Sequence, residues 1–185
     1  TQVDTNSLLP DDLSIPGGAR SSLIKVMNDA TQSESKELKQ LFKSVCKEMD
    51  VPLINESDIP SEGASASWKE VHGLRSTLVG SYGKLADWII MPRPPEGKVT
   101  ASFEAAVLET GRPVLIIPRD LKSVNFDSIL LGWNYRAEAV KALTASLPLM
   151  QRAKHIKVVT SKDFNGYQPP ISEVSEYLSL HGVKA

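Results

Sequence analysis

The chain has one cysteine, Cys46, among 185 residues. No disulfide can close within it, and no cysteine-based metal cluster can form. That scarcity fits a reducing, cytoplasmic compartment. Long apolar runs are missing too. None approaches the roughly 20 residues a helix needs to cross a bilayer. Neither sign of charge is in excess, since 21 Lys and Arg face 22 Asp and Glu, a formal net charge of −1. Neither nucleic acid nor a membrane surface is therefore implied as a partner. His72, His155 and His181 are too widely spaced for a metal-ligand pattern. No Gly-x-Ser-x-Gly elbow occurs, and no Ser, Asp and His order suggests a hydrolase. Glu104 and Glu109 share one short helix and read as solvent-facing, so no paired carboxylates carry acid-base chemistry. No signal-peptide pattern opens the chain, whose first residue is Thr1.

Hydrophobic residues make up 41% of the chain and charged residues 23%, enough for an ordinary globular core. Residues 1–20 read as a loop rich in Ser, Asp, Pro and Gly. Ser21 to Met49 has a helical pattern, with a weak stretch from Thr31 to Ser35 where a break is expected. Leu38, Leu41, Phe42, Val45, Cys46 and Met49 form one apolar face of that helix, with Cys46 as a core thiol. Val51–Asn55 reads as a short strand and 56–68 as a loop. Leu74, Leu78, Tyr82 and Leu85 mark a helix ending near Gly83.

From residue 86 the rhythm is regular. Strands are expected at Ala86–Met91, Pro113–Pro118, Ser128–Trp133 and His155–Thr160. Helices are expected at Ser102–Thr110, stopped by Gly111, at Arg136–Ala153 with a kink or break at Pro148, and at Ile171–His181. Short strands that are apolar on both faces, alternating with helices, imply a parallel sheet covered on both sides. The fold class is α/β, a doubly wound parallel sheet.

Two segments carry a resemblance. One is LADWIIMPRPPEGKVTASFEAAVLETGRPVLIIPRD, and the other is SILLGWNYRAEAVKALTASLPLMQRAKHIKVVT; the tail SEVSEYLSLHGVKA follows in order. Together they resemble the universal stress protein family of the tandem bacterial type, with an adenine nucleotide alpha hydrolase-like fold. The resemblance implies that residues 1–120 hold most of a first domain without its opening strand, helix and second strand. Residues 121–185 would then be the opening half of a second domain, and the sequence a fragment or incomplete record. It also implies a non-enzymatic stress-response protein acting through a homodimer or through pairing of tandem domains. The fifth strand of the family domain, here Pro113–Pro118, is expected at a sheet edge, where an unpaired apolar strand invites a partner.

In the family's nucleotide binders, an Asp after the first strand and a glycine stretch after the fourth hold the nucleotide. The matching positions here are Trp133-Asn134 and the stretch from Met91 and Arg93 to Lys98. These make Trp133, Asn134, Met91 and Arg93 the candidate lining of a ligand crevice. Tyr135 takes the place of a small residue. Pro92, Pro94 and Pro95 occupy the cradle, and proline offers no N–H to a phosphate. No cofactor is therefore expected. The alternative is an ATP-binding or ATP-hydrolysing domain using the crevice at the strand ends. Trp133-Asn134 should stand at the carboxyl end of a parallel strand, with Val140 and Leu143 of the next helix packed on the sheet. The turn itself is expected to be mainly a structural joint. A helix N-terminus contributes only about 0.3–1 kcal/mol to an anion, and micromolar binding needs about 8 kcal/mol.

Overall fold

A computed structural model describes the backbone of residues 17–55, 57–58, 62–95 and 98–184. The loop expected over residues 1–16 lies outside the described residues. The chain divides into two compact units, one of residues 1–86 and 96–111 and the other of 87–95 and 112–185.

The first unit begins with α1 (Gly17–Glu48). This helix runs without a break through Thr31–Ser35, contrary to expectation. That stretch contains no Gly or Pro, and its Thr and Ser residues cost only a few tenths of a kcal/mol each. The helix closes on Asp50, which adopts a left-handed φ of 52°. The Val51 N–H reaches back to the Cys46 carbonyl at 2.8 Å and the Asp50 N–H to that of Lys47 at 3.3 Å, the two bonds of a Schellman closure. Cys46 is buried, as expected. The face is covered only in part: Leu41 is 60% and Met49 69% exposed, while Phe42 of the same face packs against Trp68 at 5.3 Å between ring centroids. Beside it, the Trp68 indole donates to Glu70 at 2.8 Å, and Lys39 lies 3.5 Å from the same carboxylate. The indole hydrogen bond first, then the Lys39 charge, hold the Glu70 carboxyl below its usual value against an opposing effect of burial.

The strand expected at Val51–Asn55 is reduced to a single parallel bridge, Leu53 to Ala66. Pro52 has no N–H for a ladder. The Asn55 N–H is taken by the Asp58 carboxylate at 2.7 Å. α2 (Arg75–Tyr82) follows and tightens into a 3-10 turn over Gly83–Leu85. α3 (Ala101–Leu108) starts on a Thr100 cap, whose hydroxyl accepts from the Phe103 N–H, and stops before Gly111 at φ 67°. Ala105 and Ala106 are its buried residues.

The second unit holds four strands in two parallel pairs. β1 (Ile89–Pro92) pairs with β2 (Val114–Ile117), and β3 (Ser128–Gly132) with β4 (His155–Val159). β1 starts later than expected, because the Ala86 N–H is used to close the preceding turn on Gly83. Among the described residues these form two separate two-stranded sheets, so the architecture is mixed α/β with parallel strands.

α4 (Ala137–Met150) and α5 (Ile171–Leu180) supply the core of this unit. Leu131, Leu143, Met150, Val174, Leu178 and Val183 are buried together, with Ile129, Trp133, Ile156 and Val158 packed against them. Alternate strand residues thus face this core. The opposite face stays open, with Leu130 66% exposed, so β3 is not apolar-buried on both sides as its composition suggested. Pro148 does not break α4, which ends two residues later at Met150. A proline in the last turn removes one hydrogen bond but leaves the earlier turns intact. α5 closes on Gly182 at φ 75°. The Val183 N–H bonds the Leu178 carbonyl at 3.0 Å, and Val183 is buried at 2% exposure.

Candidate functional site

β3 leads directly into α4 through Trp133-Asn134-Tyr135-Arg136. The Trp133 N–H donates to the Val159 carbonyl at 2.7 Å, which carries the pairing with β4 one residue past β3. The Asn134 side-chain oxygen accepts the Arg136 N–H at 3.1 Å. Asn134 therefore works as the acceptor of its own turn, the local bond that Asn makes readily. Tyr135 sits between them at a left-handed φ of 61°, a conformation that costs a non-glycine residue about 1–2 kcal/mol. Three rings hold it: Trp133 at 5.9 Å, Phe164 at 5.7 Å and Tyr167 at 5.3 Å between centroids. Aromatic pairs of this kind contribute about 0.5–1.5 kcal/mol each beyond their buried area, enough to offset the backbone cost.

A crevice of about 450 Å³ opens at the carboxyl ends of β3 and β4. Gly132, Trp133 and Asn134 line it from one strand, Val159, Thr160 and Ser161 from the other, with Ala139 and Phe164 closing the sides. Ligands in parallel α/β sheets gather at such strand ends. The indole nitrogen of Trp133 and the hydroxyl of Thr160 are both buried with no hydrogen-bond partner among the described residues. A buried polar group left unpaired costs roughly 1–3 kcal/mol, so each is a local cost that the fold carries beneath the crevice lining. Ser161 does not share this state, since its hydroxyl bonds the Asp163 carboxylate at 2.8 Å.

Of the four residues singled out in the sequence, Trp133 and Asn134 line this crevice. Met91 ends β1, and Arg93 follows it. The Arg93 N–H bonds the Ile117 carbonyl at 2.8 Å, and its own carbonyl accepts from the Arg119 guanidinium at 3.1 Å. Neither is among the described residues lining the crevice. Glu96 and Gly97 of the proline-rich stretch lie outside the described residues. Sequence reasoning missed Gly132, Thr160 and Phe164. Thr160 could have been found by asking which residue ends the neighbouring strand.

Val140, expected on the sheet with Leu143, is 45% exposed. It lines a second pocket of about 310 Å³ between α4 and α5, with Trp133, Leu143, Val174 and Tyr177. The buried face of α4 is centred on Ala139, Leu143 and Met150, which turns Val140 off the sheet. Among the described residues no group of three or more His, Cys, Asp or Glu converges on a common point. No described helix is long and apolar enough to cross a membrane. No protein-family model, curated protein or solved structure matches the chain.

Proposed function

We propose that the protein is a non-enzymatic, cytoplasmic stress-response protein of the universal stress protein type, working through self-association and weak binding of a small ligand at the strand ends. In this reading the two parallel strand pairs belong to doubly wound sheets, with residues 1–120 part of a first domain and 121–185 the opening half of a second. The observation that carries the reading is the β3-turn-α4 junction. It brings Trp133 and Asn134 to the mouth of a crevice at the ends of parallel strands. The alternative, a nucleotide-hydrolysing domain, gains little from the geometry. No Lys or Arg is among the described residues lining the crevice, and Asn134 Oδ1 already accepts the Arg136 N–H within the turn.

Self-association is supported by the β1–β2 pair, in which Ile90 is 62% and Ile116 43% exposed. Mass spectrometry of small molecules released from purified protein tests the ligand. Sedimentation velocity over a wide concentration range tests assembly. A soluble monomer at every concentration, with nothing released on denaturation, would remove both supports.

A further inference from the structure

One face of α1 and one face of the β3–β4 pair stand open. Leu38, Leu41, Val45 and Met49 follow one another at steps of three and four residues, so they form one stripe along the helix. All four are exposed. Glu34 continues the stripe one turn earlier, Glu37 and Glu48 border it, and all three are exposed. The lysines lie elsewhere: Lys36, Lys43 and Lys47 fall on the far side by helical spacing, and Lys39 is paired with Glu70. The stripe is therefore apolar with an acidic edge. On the sheet, the register sets exposed Leu130 beside exposed Lys157, and Ser128 beside His155. A hollow of about 250 Å³ opens over these residues. Neither strand contains an acidic residue. Parallel strands occur almost only with helices on both faces. Here α4 and α5 serve one face, and no described element covers the other.

We infer that α1 of one copy docks on the open β3–β4 face of a second copy, its apolar stripe on Leu130 and its acidic edge toward Lys157. The inference rests on the proposed reading of the protein as self-associating and gives that reading a surface other than β1–β2. A second copy is the occupant because both faces stand uncovered in the same chain and their charges are opposite. Pairing of like faces would leave one of the two bare and set acid against acid or lysine against lysine, which is costly.

Two variants of the full chain and their mixture test this by sedimentation velocity. Leu41→Lys spoils the helix face and Leu130→Glu the sheet face. Both side chains are exposed, so the circular dichroism of each variant should match the wild type. Each should weaken self-association roughly tenfold or more, the loss of one buried leucine. An equimolar mixture should associate more tightly than either variant alone, because the intact helix face of one meets the intact sheet face of the other. Lys157→Glu should weaken association roughly threefold. In the wild type the Met49 methyl resonance should shift with concentration, while that of Met150, buried in the second unit's core, stays in place. Weakening by Leu41→Lys alone or Leu130→Glu alone, or a mixture no tighter than its components, would overturn the helix-on-sheet contact. Association unchanged by Lys157→Glu would overturn the charge match. Association that survives in both leucine variants would overturn this surface and leave self-association standing. A wild-type monomer at every concentration would overturn both.

Discussion

Replacing Thr160 by Val should stabilise the unliganded protein. The hydroxyl is buried and has no partner among the described residues, while valine keeps the side-chain shape and the β-branched preference for extended backbone. Removing an unsatisfied buried hydroxyl relieves a desolvation cost of roughly 1–3 kcal/mol. Thr160 as a whole is only half-buried, so small rearrangements let water meet part of that need, and a gain of about 1 kcal/mol is the reasonable figure. Urea unfolding followed by tryptophan fluorescence measures it. The midpoint should rise with the slope unchanged, because the surface exposed on unfolding is nearly the same. Thr160→Ser is the control: it keeps the hydroxyl, loses one methyl, and should cost about 0.8 kcal/mol. If Thr160→Val instead lowers stability by more than about 0.5 kcal/mol, the hydroxyl has a partner in the folded protein. The description of the Thr160 hydroxyl as an unmet buried group would then be wrong.

Other perturbations follow from the same structure. Asp50→Gly should stabilise by about 0.5–1 kcal/mol, since Asp50 closes α1 at φ 52° where glycine is unstrained; thermal unfolding checks it. Leu178→Ala, at a side chain with 0% exposure in the second unit's core, should cost about 2–5 kcal/mol in urea unfolding. Glu70 has its carboxyl depressed by the Trp68 indole and Lys39, so the folded state binds fewer protons than the unfolded state just below the usual glutamate value, near about 4.3. That contribution is complete above the unfolded value and is lost as pH falls through the folded one. Glu70→Gln should accordingly flatten the decline of stability on acidification, and the Trp68 indole N–H resonance should move at a lower pH than an ordinary glutamate would give.

Elements announced by local punctuation were legible in the sequence, and those decided by distant partners were not. Gly111 and Gly182 mark helix ends because their left-handed backbone is a local requirement. Val51–Asn55 has strand-like residues, yet the ladder fails on the missing Pro52 N–H and on Asp58 taking the Asn55 N–H. The Leu38–Met49 stripe showed that α1 has an apolar face, but periodicity cannot say which part of that face a neighbour covers. The candidate site divides in the same way. Trp133 and Asn134 follow from the strand-to-helix turn alone. Thr160 joins them only through the register that sets Gly132 opposite Val159, a fact of pairing between segments far apart in the chain. Tyr135 makes the point most sharply. Its position calls for glycine on local grounds, and a tyrosine is held there by Phe164 and Tyr167 from beyond β4. Those rings fix the turn, and within it the Asn134 Oδ1 that the sequence had offered to a ligand accepts the Arg136 N–H. The crevice lining thus comes from two strand ends brought side by side, and the turn supplies the joint between sheet and helix.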